Sequence, residues 1–117
     1  MNLEKEVRES ALKWTLEPYD IQTQNETKKL LEKGGDELID AFYKALDFGT
    51  GGLRGIMGVG SNRVNKYTFG AATQGLANYL LNQITDQQIS VAIAYDSRNN
   101  SKEFSQEVAA VLASNGI

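Results

Sequence analysis

The sequence contains no cysteine, no histidine and a single proline. Without cysteine it can form no disulfide and offers no thiolate as a nucleophile or zinc ligand, which is typical of a cytoplasmic protein. Without histidine it lacks Ser-His-Asp and Cys-His catalysis and any imidazole for metal binding or proton transfer. Acid–base chemistry in this chain would therefore need a carboxylate, a lysine or a tyrosine.

Long apolar runs and basic tracts are also missing. The clearest apolar run, residues 89–95, is far too short to span a bilayer, and the N-terminus has mixed charge without the apolar stretch of a signal peptide. Residues 48–85 carry three basic residues and no acidic one, in a chain of net charge -3. This local positive charge suits a small anion and is too weak for nucleic acid, although three bases can also fall there by chance.

The composition indicates one small globular domain, with 41% hydrophobic and 23% charged residues. The first third of the chain is predicted to form a layer of helices that carries no candidate catalytic or binding residue. Apolar spacing predicts a helix over residues 3–17 that ends at Pro18, and a short helix from a cap at Asn25 to Lys33. Asp36 is the expected cap of a third helix.

The remaining residues predict an α/β fold, with helices packed on a mixed sheet. Extended pieces are expected at 53–57 and 63–67, and residues 89–95 read as a strand covered on both faces. Two helices are expected, over 68–84 with Thr68 as cap and from Ser101 to a stop at Gly116. The first would bury Phe69, Ala72, Leu76, Leu80 and Ile84. A strand, a turn, a helix and a glycine in this order are typically followed by a second strand, so we expect an incomplete domain.

The strongest motif is Phe48-Gly49-Thr50-Gly51-Gly52-Leu53-Arg54-Gly55, within a segment that has six glycines between residues 48 and 60. It is neither a P-loop, which needs Gly-Lys-Ser/Thr before a helix, nor a dinucleotide fingerprint, which needs a third glycine and a helix. Free amides, a hydroxyl and a guanidinium suit a phosphate. The alternative is a tight structural loop in which Arg54 makes a surface salt bridge.

The second motif, Asp96-Ser97-Arg98, follows the predicted strand. Ligands of open α/β sheets bind outside the carboxyl ends of strands, so Arg98 could reach an anion. The alternative is a surface turn in which Arg98 pairs with Asp96. The nearby Arg63, Asn65 and Lys66 would widen the positive field or, more simply, lie in a solvated turn.

Together the two motifs resemble the α-D-phosphohexomutases, the phosphoglucomutase/phosphomannomutase family. The family's N-terminal signature has a threonine, then serine, alanine or glycine, then Gly-Leu/Ile-Arg, and about forty residues later a strand ends in Asp-x-Arg. Residues 40–117 are similar throughout, including the helix that ends in Asn115-Gly116-Ile117. Residues 1–39 match only as a helical N-terminal extension, most similar to the phosphoglucomutase-2-like and phosphopentomutase-like branch. The resemblance implies an extension at 1–39 and a partial domain I at 40–117.

The resemblance implies a four-domain, cytoplasmic isomerase of carbohydrate metabolism. Such an enzyme is a phosphoprotein: a phosphoserine transfers its phosphoryl group to a sugar phosphate, and a sugar bisphosphate is the intermediate and activator. Mg²⁺ bridges the phosphoserine and aspartates of the second domain. By this resemblance Arg54 contacts the phosphoserine or bisphosphate, Thr50, Gly51 and Gly52 shape the loop, and Arg98 supports the same crevice.

Two departures limit what this chain can do. It has no histidine, so the family's Thr-Ala-Ser-His-Asn serine loop is absent, and it has no Asp-x-Asp for magnesium. We therefore expect no catalytic or metal-binding residue here and no mutase activity from residues 1–117 alone. A complete, non-catalytic sugar-phosphate-binding module and a purely structural domain stay as alternatives. The sequence leaves open hexose against pentose phosphate, C6 against C5, and the oligomeric state.

Overall fold

The computed structural model describes residues 2–50 and 52–117. Within them the chain forms two compact units, the first ending at Asn65 and the second beginning at Lys66. The element bounds are α1 Leu3–Lys13, α2 Ile21–Lys33, α3 Gly35–Phe42, β1 Phe48–Gly49, β2 Gly52–Leu53, α4 Lys66–Gln83 and α5 Ser101–Ser114. In this described part of the chain, no helix is both long and apolar enough to cross a bilayer.

The helices of the first unit share an apolar core. α1 contributes Val7 and Ala11 and α3 contributes Leu38 and Phe42, all nearly fully buried. Trp14, directly after α1, packs edge-on against Phe42 with ring centroids 5.5 Å apart. Burial of a large apolar side chain is worth about 1.5–3 kcal/mol, so this cluster is the main force that holds α1 against α3.

The predicted helix over residues 3–17 is wrong only in its last four residues. α1 ends at Lys13, and turns follow through Tyr19. The physical reason is an aromatic contact: Trp14 stacks on Tyr19 with ring centroids 4.6 Å apart. That stack folds the chain back on itself before Pro18, where a continuing helix would have carried the two rings apart.

The predicted caps of the next two helices are also wrong. α2 starts at Ile21, because Asp20 accepts a 2.9 Å bond from the Thr23 amide and so satisfies a first-turn donor. Asn25 therefore lies inside α2. α3 begins directly after Gly34, whose φ of 60° redirects the chain, and Asp36 lies in its first turn. An acid there still favours the helix through the helix dipole.

The mixed sheet of the prediction is, in the described residues, a two-stranded antiparallel hairpin. Phe48 pairs with Leu53 and Gly49 pairs with Gly52. Beyond it, Met57 and Val64 form an isolated parallel bridge. The predicted extended pieces are thus only partly formed, and the second one is cut short because α4 begins at Lys66. Thr68 therefore lies inside α4 and does not cap it.

The second unit is a pair of helices in close contact. α4 buries Thr73 and Ala77, and α5 buries Leu112. Gln74 and Asn115 exchange side-chain hydrogen bonds of 3.1 and 2.9 Å across the pair. The helices can come close because the buried α4 residues Thr73 and Ala77 are small. The Gln74–Asn115 bonds fix which face of α4 is turned toward α5.

The predicted buried stripe of α4 is therefore wrong in part, since Leu76 is 43% exposed. Phe69, Ala72, Leu80 and Ile84 are intermediate in exposure. α4 is apolar on more than one side, so hydrophobic spacing alone does not select one face. The predicted stop of α5 is confirmed: Gly116 has φ +78°, and the Ile117 amide donates to the Leu112 carbonyl at 3.0 Å.

The predicted strand at 89–95 does not form. These residues have no strand assignment, and Ile89 alone among them is buried. A strand is stabilised by the ladder bonds of a neighbour, and no segment of the described residues pairs with this one. Ser101 is likewise not the cap of α5: Asn100 holds that position, and the Ser101 hydroxyl accepts from the Asp96 amide at 3.0 Å.

Candidate functional site

The glycine-rich loop of the first unit is closed at its base by hydrogen bonds. The Leu46 amide donates to the Ser61 carbonyl at 2.8 Å, and the Ser61 hydroxyl donates to the Lys44 carbonyl at 2.8 Å. Further along, the Val64 amide donates to the Ile56 carbonyl at 2.8 Å. The hairpin and its turn therefore project from a fixed frame, as in a compact Ω-type loop.

The glycines of this loop serve two different purposes. A Cβ at Gly60 would lie 2.4 Å from the Ala41 carbonyl oxygen, and one at Gly55 would lie 2.8 Å from Leu46 Cδ1. These two glycines allow close packing. Gly52, at φ +114°, has nothing within 4 Å of its Cβ position. It permits the hairpin turn and leaves open space beside the backbone, where a ligand can approach.

A cavity of about 310 Å³ lies beside this turn and is lined by Asp47, Gly49, Thr50, Gly52 and Arg54. The structure thus brings together three of the predicted site residues, Thr50, Gly52 and Arg54. Gly51 lies outside the described residues. Both Thr50 and Arg54 are exposed, so the hydroxyl and the guanidinium can be reached by a ligand.

Asp47 lines the same cavity and was missed by the sequence reasoning. Its carboxylate lies 2.7 Å from Lys44 Nζ, and this bond and the charge of Asp47 raise the pKa of Lys44. The missed signal is position: Asp47 directly precedes the glycine motif. The site therefore offers a hydroxyl, a guanidinium and a carboxylate to one ligand.

Arg63 is a buried cation, so the interpretation as a solvated turn residue is wrong. Its guanidinium lies 2.9 Å from the Asp40 carboxylate, with the Arg63 side chain 10% and the Asp40 side chain 54% exposed. The Asn62 side-chain Nδ2 adds a 2.8 Å bond to the Asp40 carbonyl. The segment after the glycine loop is therefore fastened to the end of α3 by charge and hydrogen bonds. Arg63 holds the loop frame and does not widen the field over the cavity.

Arg98 lies in the second unit and is paired with Asp96. Its Nε and Nη2 each lie 2.8 Å from Asp96 Oδ2, and its amide donates to Oδ1 at 3.0 Å. The side-chain bond to Arg98, then the backbone bond, lowers the pKa of Asp96 to about 2. The Arg98 side chain is 87% exposed, so its outer edge stays open to solvent. The role of Arg98 in a ligand site stays a prediction.

A sequence profile of the phosphoglucomutase/phosphomannomutase alpha/beta/alpha domain I matches residues 45–117. The chain belongs to this family. The match begins just before the glycine motif and includes the cavity residues and both helices of the second unit. The predicted division at residues 39 and 40 stays a prediction.

Named relatives agree with this membership. A phosphoglucomutase of Staphylococcus saprophyticus is 47% identical over 76 residues, covering 65% of this chain and 13% of the relative. A Staphylococcus aureus phosphoglucomutase is 42% identical over 74% of this chain and 15% of its own length. A Mycoplasmoides pirum phosphomannomutase is 41% identical over 68% of this chain and 15% of its own length. The chain thus spans less than a fifth of these relatives. No solved structure matches it.

Magnesium, which the resemblance implies for the family, does not fit the residues described in this phosphohexomutase chain. Across residues 2–50 and 52–117, no group of three or more acidic side chains is arranged to hold a metal ion. Asp40, Asp47 and Asp96 are each engaged by a neighbouring cation.

Proposed function

We propose that this chain supplies a phosphate-binding loop of a sugar-phosphate mutase. The observation that carries the proposal is the cavity at residues 47–54, where the hydroxyl of Thr50 and the guanidinium of Arg54 line one space in a family domain I. A guanidinium binds phosphate oxygens in a bidentate manner, and open glycine backbone lets amides approach the anion. In this reading Thr50, Gly51 and Gly52 shape the loop around the phosphate.

The proposed parent enzyme moves a phosphoryl group between C1 and C6, or C5, of a hexose or pentose phosphate. Its phosphoserine, its magnesium ligands and its sugar bisphosphate turnover belong to parts other than residues 1–117. This chain binds and orients the phosphate, which contributes through positioning and charge neutralisation. Arg98 contributes to ligand binding in the parent enzyme, and that enzyme works in the cytoplasm.

The second candidate is a binding module without catalysis. It is favoured by one observation: Thr50 and Arg54 line one cavity in the described residues, and this suffices for binding. Both candidates predict that residues 1–117 bind a sugar phosphate and have no mutase activity. Glucose 1-phosphate turnover by the purified chain, followed in a coupled assay with glucose 6-phosphate dehydrogenase, would disprove this part of the proposal.

Substitution of Arg54 tests the binding role directly. Arg54→Ala should weaken glucose 6-phosphate binding about tenfold or more, because a charged hydrogen bond is lost, while the thermal midpoint stays nearly unchanged. Lys28→Ala removes the same charge from the exposed face of α2 and should leave affinity within about twofold. Equal affinities in the two variants, or a loss of stability in place of affinity, would show that Arg54 is structural.

A further inference from the structure

One acidic side chain stands in the candidate phosphate cavity. Asp47 lines it together with Gly49, Thr50, Gly52 and Arg54. A carboxylate repels a phosphate dianion, so a site that evolved for phosphate alone has no use for one there. We therefore expect Asp47 to contact a part of the ligand other than its phosphate.

The Asp47 carboxylate is paired with a lysine and can still accept a further hydrogen bond. Asp47 Oδ2 accepts a 2.7 Å bond from Lys44 Nζ. The Asp47 side chain is 80% exposed, so its carboxylate can be reached by another donor. Lys44 is itself placed by the Tyr43 ring, 5.5 Å from its centroid. The Lys44–Asp47 pair thus leaves an accessible acceptor at the edge of the cavity, with its charge partly offset.

The cavity is also larger than the volume that a phosphate ion occupies. Its volume of about 310 Å³ corresponds to roughly ten water molecules. An inorganic phosphate leaves much of that volume to solvent, whereas a phosphate joined to a polyol occupies more of it. A sugar hydroxyl is a hydrogen-bond donor, which is what an ionised carboxylate can accept.

We infer that Asp47 is a specificity-determining residue: it accepts a hydrogen bond from a hydroxyl of the ligand whose phosphate lies at Arg54. The ligand class is therefore a hydroxyl-rich phosphate monoester, and plain phosphate or a hydroxyl-free ester is disfavoured. This inference rests on the proposed phosphate-binding function of residues 47–54 and adds a second contact to it.

The test compares two monoesters of the same charge, glucose 6-phosphate and methyl phosphate, which carries no hydroxyl. Dissociation constants come from ¹H–¹⁵N shifts of the Gly49 and Gly52 amides in the full chain. The unaltered protein should bind glucose 6-phosphate more tightly. Asp47→Ala should reverse this preference. Glucose 6-phosphate binding should weaken severalfold, while methyl phosphate binding should tighten because a repulsive charge is gone.

Two further variants separate the hydroxyl contact from charge. Asp47→Asn keeps the shape and an acceptor oxygen, so the preference for glucose 6-phosphate should fall to an intermediate value. Asp36→Asn removes one acidic charge from α3, outside the cavity, and should change both constants equally and by less than about twofold.

The outcomes are distinguishable. If both esters bind the unaltered chain with equal affinity, or Asp47→Ala changes both constants in the same direction, the inference about Asp47 is overturned and the phosphate loop stands. If neither ester shifts Gly49 or Gly52, the proposed function itself fails.

Discussion

Arg63 is fastened to Asp40 by an ion pair of 2.9 Å in which the cation is buried and the carboxylate is half exposed. Asp40 belongs to α3, and Arg63 follows the glycine loop, so the pair joins the two ends of the segment that contains the candidate site. A buried cation without its partner is costly, because the charge has left water and has nothing to offset it.

Removal of Asp40 should therefore destabilise the first unit. We expect Asp40→Ala to lower the free energy of unfolding by about 2 kcal/mol, below the usual range for a fully buried pair because Asp40 is half exposed. Urea unfolding followed by circular dichroism measures this. Asp36→Ala, four residues earlier in α3, should cost less than about 0.5 kcal/mol. Equal costs would show that the ion pair contributes nothing.

Gly60 should tolerate no side chain. At φ +128° and with a Cβ position 2.4 Å from the Ala41 carbonyl oxygen, alanine would clash with backbone that cannot move aside. We expect Gly60→Ala to cost about 3 kcal/mol, from strain and overpacking together. Gly75→Ala is the matched control, since Gly75 lies within α4 and has nothing near its Cβ position. It should stabilise the chain slightly, by about 0.5–1 kcal/mol; destabilisation by both would contradict the account.

The start of α2 is testable by its cap. Asp20 accepts 2.9 and 2.8 Å bonds from the amide and hydroxyl of Thr23. Asp20→Ala should lower the free energy of unfolding by about 1 kcal/mol, as expected for a lost N-cap. Asn25→Ala should leave it nearly unchanged or raise it slightly, because Asn25 lies inside the helix, where alanine is favoured. A larger loss of stability in Asn25→Ala than in Asp20→Ala would show that Asn25 is the N-cap, as the sequence predicted.

The Asp96–Arg98 pair predicts a pH dependence. The pKa of Asp96 is lowered from 3.8 to about 2, first by the side-chain bond from Arg98. A lowered carboxyl pKa stabilises the turn fully above the ordinary value of 3.8, and this stabilisation is lost as pH falls through about 2. A ¹³C titration of the Asp96 carboxyl should show the low pKa, and Arg98→Ala should return it toward 3.8. Ser101→Ala should move it less, because Ser101 is the smallest contributor; an unchanged pKa in Arg98→Ala would refute the pairing.

The sequence predicted the helices well because their signals are local. Helical spacing and the Gly116 break depend on neighbours along the chain, so five helices were expected and five are found in the described residues. Their boundaries were missed where a tertiary or side-chain contact decided them. The Trp14–Tyr19 stack ended α1 early, and Asp20 capped α2 before Asn25.

The strand at 89–95 was missed for the opposite reason. Its β-branched composition is a local signal, but a strand exists only through bonds to a partner, and composition says nothing of where the partner is. The candidate site was predictable in part: the glycine motif identified Thr50, Gly52 and Arg54, which line one cavity. Asp47 was missed although it directly precedes the motif, because position along the chain does not show whether a residue borders the cavity. Arg63 was misread because an arginine in a polar turn gives no sign of burial.

The central claim is that the cavity at residues 47–54 binds a sugar phosphate. The most direct measurement is a ¹H–¹⁵N titration of residues 1–117 with glucose 6-phosphate, which resolves each amide and the Arg54 Nε–H. Saturable shifts are expected at Gly49, Gly52 and Arg54, and the Gly49 and Gly52 shifts should be lost in Arg54→Ala. The proposed sugar-phosphate site would be contradicted if no shifts occurred, if they never saturated, or if they persisted unchanged in Arg54→Ala.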